Sequence, residues 1–150
     1  LGQARHNLIY RCNSCKPVSS VDCKEYKFER QENFEEFVNS LGLPAEQTQG
    51  YLNYNPILKY TKNGDTYTLT SVTAQGTKEV SFKSGVAFDE TVAGKKVNTT
   101  YTVDGDTITQ VQKSDDGVLT ITRTFSGNEL VVTLKTNKWD GVATRYYKVV

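Results

Sequence analysis

The sequence has no methionine, one histidine and three prolines among its 150 residues, and it has no long apolar run. No membrane-spanning segment is therefore predicted. The only histidine, His6, lies near the start, and no serine has the surroundings of a hydrolase nucleophile. Asp89 and Glu90 are adjacent, so on a strand they would point to opposite faces and would not form an acid–base pair. We expect a protein that is not an enzyme and needs no cofactor.

Charge of one sign is not in excess either, with 18 Lys and Arg against 17 Asp and Glu and no long basic run. We therefore expect no nucleic-acid partner. The hydrophobic fraction of 37% and the mean hydropathy of -0.53 are low for a packed α/β enzyme, and polar strand formers, mainly Thr, fill the difference. A chain of this length forms one domain, with room for a sizeable core or an enclosed cavity.

Cysteine is confined to residues 1–23, which we interpret as a mobile N-terminal extension ahead of a domain at residues 24–150. The extension holds a possible Cys3His zinc-ligand set, Cys12, Cys15, Cys23 and His6. One CxxC spacing is a weak signal, so we favour free thiols or an incidental disulfide and predict no metal site. Without methionine, we expect that an initiator or a leader has been removed, or that the start is artificial.

Short strands separated by glycine-containing turns dominate the rest of the chain. The turns include Asn63-Gly64-Asp65, Asp104-Gly105-Asp106 and Ser126-Gly127-Asn128, which are typical of hairpins. Besides a first strand around Tyr26 and Phe28, the pattern predicts strands at 57–62, 66–73, 78–83, 86–92, 97–103, 107–113, 118–125, 129–135 and 142–149. About ten strands in an up-and-down antiparallel meander can avoid open edges only by closing or nearly closing into a barrel, and the interior of such a barrel should hold a cavity.

Two helices are predicted between the first and second strands. Asn33 is expected to cap the first helix, with Glu36 reaching back to the cap, and Gly42 to end it. Its apolar positions, Phe34, Phe37, Val38 and Leu41, follow helical spacing. The second helix is expected to run from Pro44, at its first position, to Leu52. The apolar stripe would cover one mouth of the barrel.

Two arginines lie in register with apolar residues near the end of the chain. After a turn predicted at Asp140-Gly141, Arg145 shares a strand face with Ala143, Tyr147 and Val149; Arg123 shares one with Leu119, Ile121 and Phe125. A buried arginine requires an anionic partner, so the pattern suggests a carboxylate site. The simpler alternative is an outward-facing or snorkelling arginine.

Several segments of residues 24–150 resemble the intracellular lipid-binding proteins, the family of fatty-acid-binding and retinoid-binding proteins, and insect midgut-type members in particular. The resemblance rests on Tyr26-Lys27-Phe28, Asn33-Phe34-Glu35, Leu41-Gly42, Val80 to Val86, Phe88 to Thr91, Gln112-Lys113 and Trp139 to Lys148. It implies an all-β, calycin-like clamshell barrel of ten strands with a helix-turn-helix lid. It also implies a cytoplasmic, non-enzymatic carrier of one long-chain fatty acid.

In that resemblance, the ligand carboxylate is bound by Arg123, Arg145 and Tyr147. The acyl tail is lined by Phe34, Val38, Leu41, Ile121, Val132 and Leu134. The portal lies between the second helix and the turns near 74–76 and 93–95. We expect a monomer that makes transient membrane contact through the helical lid. Two alternatives stay open, a retinoic acid carrier and a secreted lipocalin-type carrier of a hydrophobic ligand.

Overall fold

The computed structural model describes residues 24–92, 94–115 and 117–150, and the extension at 1–23 with its candidate metal ligands lies outside them. Within the described ranges, ten antiparallel strands form one sheet, with two short helices between the first two strands, as predicted. The elements are β1 (Glu25–Glu32), α1 (Phe34–Ser40), α2 (Ala45–Leu52), β2 (Ile57–Asn63), β3 (Thr66–Thr73), β4 (Gly76–Lys83), β5 (Ala87–Val92), β6 (Lys95–Asp104), β7 (Thr107–Ser114), β8 (Gly117–Ser126), β9 (Glu129–Thr136) and β10 (Trp139–Val149).

The strand order is β4-β3-β2-β1-β10-β9-β8-β7-β6-β5. Strands that follow each other in the chain are neighbours, apart from β4 and β5, and β1 pairs with β10 to join the two ends of the domain. The meander therefore curls into a half-barrel whose two edges are β4 and β5. The clamshell predicted from the resemblance is confirmed.

Aromatic side chains bridge the opening between the two edges. The ring of Phe82 on β4 stacks on Tyr101 of β6 with centroids 4.0 Å apart, and Tyr67 and Phe88 extend the stack on either side. The amide of Gly85 donates to the carbonyl of Tyr101 at 2.7 Å, which holds the end of β4 against β6. Side-chain packing thus replaces a hydrogen-bonded ladder here.

Buried apolar side chains form two clusters on the inner face of the sheet. The main core lies among the strands and consists of Tyr26, Leu58, Tyr60, Leu69, Phe82, Tyr101, Ile108, Phe125, Leu130, Val132 and Tyr147. The lid cluster lies where α1 packs on β10, and consists of Phe34, Phe37, Val38 and Ala143. The predicted stripe of α1 therefore covers one end of the half-barrel.

Asn33 is the N-cap residue of α1, as predicted, but the expected capping by its side chain is wrong. Asn33 has a left-handed backbone with φ of 57°, and its side chain makes no cap hydrogen bond. Its amide Nδ2 instead donates to the carbonyl of Val142 at 3.2 Å, which ties the start of the helix to β10. Pro44 precedes α2 as its N-cap residue rather than occupying the first helical position.

The predicted turn at Asp140-Gly141 is also wrong, because β10 already begins at Trp139 and the turn lies at Asn137-Lys138. The register between β10 and β9 shifts between Trp139 and Ala143. A Cβ built on Gly141 would overlap the indole of Trp139. Glycine is therefore needed here for a close approach of a ring to the backbone within an irregular strand, and not for a hairpin turn.

Candidate binding site in the barrel interior

The two arginines singled out by alternation lie side by side across one strand. Arg123 on β8 and Arg145 on β10 are both cross-strand partners of Val132 on β9. Cross-strand partners share a face, so both side chains are on the inner face, with their α-carbons about 10 Å apart across two strand spacings. They are 9% and 4% exposed, respectively, so the alternative of outward-facing arginines is wrong.

Arg145 is held by uncharged groups. Its Nη2 donates to the carbonyl oxygen of Tyr54 at 2.6 Å and to Oδ1 of Asn55 at 2.9 Å, both in the segment that joins α2 to β2. Its Cζ lies 4.5 Å from the ring centroids of both Phe28 and Phe34. Burial lowers the pKa of the Arg145 guanidinium, an effect that its proximity to tyrosines partly opposes. The cation therefore has aromatic faces and two neutral acceptors around it.

Three buried tyrosines surround the arginines, Tyr60 on β2, Tyr101 on β6 and Tyr147 on β10. Burial raises the pKa of each phenol, and the positive charge of Arg123 opposes that rise at all three. Because the charge of Arg123 affects the pKa of all three phenols, the three hydroxyls lie near Arg123, around one region of the interior. With raised pKa values the phenols are neutral at physiological pH and can donate hydrogen bonds.

Four buried polar atoms in the described part of the chain have no hydrogen-bond partner there: Tyr60 Oη, Gln110 Oε1, Arg123 Nη1 and Arg145 Nε. Within residues 24–92, 94–115 and 117–150, neither arginine forms an ion pair with a carboxylate of the chain. An unmade hydrogen bond of a buried group costs about 1–3 kcal/mol, and more for a charged group. Two cations with neutral hydroxyl donors beside them form a site that is complementary to an anion.

The six positions predicted to line the tail divide between the two clusters. Phe34 and Val38 belong to the lid cluster, and Leu41 packs against it. Val132 belongs to the main core and Ile121 packs against that core. Leu134 packs against both clusters, so it connects them. These residues form an apolar wall that begins beside the arginines and ends under α1.

A cleft of about 450 Å³ opens at the lid end of this wall. It is lined by Leu41, Gly42, Leu43, Pro44, Gln47, Tyr51, Lys95, Val97, Gln112, Ser114, Gly117, Val118, Leu119, Thr136 and Lys138. The portal implied by the resemblance shares α2 and Lys95 with the cleft. The described lining includes no residue of the turn at 74–76, and Ala93 lies outside the described residues.

Polar inner-face residues on β5, β6 and β7 were not identified from the sequence. Glu90 faces inward and accepts hydrogen bonds from Thr99 Oγ1 and, at 3.4 Å, from Gln112 Nε2. Asp89 faces outward and contacts Lys96 Nζ at 3.6 Å. The prediction that Asp89 and Glu90 point to opposite faces of the strand is therefore confirmed. Strand alternation could have identified Gln110 as an inward-facing residue, since it lies on the same face of β7 as the apolar Ile108.

These features are those of a binding protein with a mainly apolar interior, two buried cations on its inner face and an open cleft at the lid end. Residues 25–144 match the model of the lipocalin / cytosolic fatty-acid binding protein family. The chain is 52% identical over 126 residues to fatty acid-binding protein 1 of Manduca sexta, a match that covers 83% of this chain and 96% of that protein. Fatty acid-binding protein 2 of Manduca sexta is 46% identical over 126 residues, with 83% and 96% covered.

The solved structure of the fatty-acid-binding protein isolated from Manduca sexta has a TM-score of 0.78 to this chain at 45% identity, with 83% of this chain and 96% of that one covered. The chain therefore belongs to the lipocalin / cytosolic fatty-acid binding protein family, and its resemblance to insect members is confirmed. The relatives are named as binding proteins, in agreement with a non-enzymatic role. Within the described residues, neither helix is long and apolar enough to cross a membrane.

Proposed function

We propose that this protein binds one long-chain fatty acid in its interior and carries it through the cytoplasm as a monomer. Arg123, Arg145 and Tyr147, here called the carboxylate clamp, hold the head group, and the six apolar wall residues contact the tail. The relatives' names support the ligand class. The observation that carries the proposal is the pair of buried arginines beside Val132 with no acidic partner among the described residues.

A carboxylate suits this pair because charge-assisted hydrogen bonds are about twice as strong as neutral ones, which offsets the desolvation of the head group. The ligand would exchange with Tyr54 and Asn55 for the Nη2 donor of Arg145. Each buried CH₂ of the tail adds about 0.8 kcal/mol, so the apolar wall supplies most of the affinity for a long acyl chain.

Calorimetric titration of the protein with a fatty acid and the fatty alcohol of equal chain length tests this proposal. We expect the acid to bind at least about tenfold more tightly, since only the acid neutralises the arginines. Retinoic acid titrated in parallel distinguishes a retinoid carrier, because it shares the carboxylate but has a rigid tail. Equal affinities for acid and alcohol would contradict a carboxylate site, and a clear preference for retinoic acid would contradict the fatty-acid assignment.

The lid has its own test, based on the buried face of α1. Val38 is 0% exposed, whereas Glu35 on the same helix faces solvent. We expect Val38→Lys to speed ligand release several-fold relative to Glu35→Lys, because the first change places the same charged side chain in the lid cluster. Stopped-flow transfer of a fluorescent fatty acid to lipid vesicles measures the release rates. Equal rates for the two variants would show that this face does not retain the ligand.

Transfer to vesicles also examines the proposed transient membrane contact through α1 and α2. If release occurs during contact with the membrane, the transfer rate of the wild-type protein should rise in proportion to vesicle concentration. If the ligand first dissociates into water, the rate should be independent of vesicle concentration, and membrane contact through the lid would be ruled out as the route of transfer.

A further inference from the structure

We infer that Gln110 forms a second polar subsite, which accepts a hydroxyl group carried in the middle of the acyl chain. This inference rests on the proposed function, because Gln110 lies beside Ile121, one of the wall residues assigned to the fatty-acid tail. It extends the ligand class from plain to hydroxylated long-chain fatty acids.

Gln110 is a polar side chain in an apolar setting. It is 5% exposed, and its cross-strand partners on β6 and β8 are Tyr101 and Ile121. Tyr101 belongs to the main core and Ile121 packs against it. The acceptor Oε1 of Gln110 has no partner among the described residues. A buried amide in such a position fits a ligand group that can donate a hydrogen bond.

Gln112, the neighbouring glutamine on the same face of β7, has a hydrogen-bond partner within the chain. Gln112 donates to Glu90, which also accepts a hydrogen bond from Thr99, so these three residues satisfy one another. No such bond engages Gln110 Oε1. The contrast between two glutamines two residues apart marks Gln110, and not the polar network as a whole, as the group that needs an external partner.

The position of Gln110 determines where on the ligand the hydroxyl would be. Arg123 pairs with Ile108, and Gln110 follows two residues along β7, which corresponds to about 7 Å of strand. A carboxylate held by Arg123 would leave Gln110 beside the acyl chain, several carbons from the head group. The negative charge of Glu90, which faces inward beyond Gln110, disfavours the reverse orientation with the carboxylate at this end.

The chemistry favours a hydroxyl over other polar groups. A hydroxyl both donates and accepts, so it can bond to the acceptor Oε1 and to the amide nitrogen of one glutamine. It is neutral, so it brings no unpaired charge into the apolar wall. On a wall without Gln110, the same hydroxyl would lose its bonds to water and gain nothing in return.

The test uses octadecanoic acid and its derivatives hydroxylated next to the carboxylate, at mid-chain and at the terminal carbon. Calorimetry on the wild-type protein should show that the mid-chain hydroxyl is tolerated best, within about threefold of the parent acid. In Gln110→Leu, the parent acid should bind as well or better, whereas the mid-chain derivative should weaken roughly tenfold. Gln75→Leu, the same change at an exposed position in the turn between β3 and β4 and outside the lining of the cleft, is the matched control and should alter neither affinity.

Two results would overturn the subsite. One is a mid-chain to parent affinity ratio that Gln110→Leu leaves unchanged; the other is a wild-type protein in which the mid-chain position is the least tolerated. The second result needs no variant, so it applies even if Gln110→Leu does not fold. Failure of the parent acid to bind the wild-type protein would instead contradict the proposed function, so the two failures are distinguishable.

Discussion

Arg145→Gln is expected to weaken binding of a long-chain fatty acid roughly ten- to a hundredfold. The change removes one charged partner of a buried hydrogen bond, which typically costs about 1.5–3 kcal/mol. Arg145 is 4% exposed and has only the neutral acceptors of Tyr54 and Asn55 near its Nη2 in the described structure. A carboxylate would therefore be its main source of charge compensation. Arg123→Gln should act in the same direction.

The fatty alcohol of equal chain length should respond in the opposite way. Replacing Arg145 by glutamine removes a buried cation that an alcohol cannot neutralise, so affinity for the alcohol should be unchanged or higher. Calorimetric titration of the wild-type protein and both variants with both ligands measures the difference. Arg30→Gln is the matched control, because Arg30 lies on the exposed side of β1 over the ring of Tyr146. Parallel losses for acid and alcohol would exclude the carboxylate clamp.

The second large effect expected is on stability, with Phe125→Ala costing about 3–5 kcal/mol of unfolding free energy. Phe125 is 2% exposed, and its ring contacts Tyr26 and Tyr60 edge to face at centroid distances of 5.5 and 5.1 Å. Its cross-strand partner is Leu130, which is fully buried. Truncation would leave a cavity where β1, β2, β8 and β9 converge. Because domains are typically stable by only 5–15 kcal/mol, this is a large share.

Urea unfolding followed by circular dichroism measures this loss. Phe125→Leu keeps most of the volume and should cost clearly less than the alanine variant. Thr124→Ala, on the exposed face of the same strand, should change the unfolding free energy by no more than about 0.5 kcal/mol. Similar losses for Phe125→Ala and Thr124→Ala would show that the inner face of β8 does not form the core.

Most of the fold was predictable because two local signals suffice for a meander. Glycine-containing turns mark the hairpins, and alternation along each strand assigns its faces. The predicted strand at 66–73 coincides with β3, and the others differ from the structure by a few residues at their ends. Alternation also placed Arg123 and Arg145 on the inner face before any strand pairing was known.

What local patterns missed depends on contacts between distant parts of the chain. Asn33 bonds to Val142 rather than capping its own helix, because β10 lies beside α1 once the sheet has curled. Tyr60 joins the interior site through the pairing of β1 with β10, which brings β2 to the same side. Such contacts have no signature in a single strand, so Tyr60 and Tyr101, unlike Tyr147, emerged only from the three-dimensional arrangement.

The opening between β4 and β5 has a consequence for self-association. An unpaired edge strand is normally a template on which a second chain can add a strand and begin to aggregate. Here the exposed charged residues Lys78, Glu79 and Lys83 lie along β4, and β5 has only six residues. The stack of Phe82 on Tyr101 also turns the end of β4 toward β6 of the same molecule. The barrel can thus remain open without offering a long, flat, uncharged edge to its neighbours.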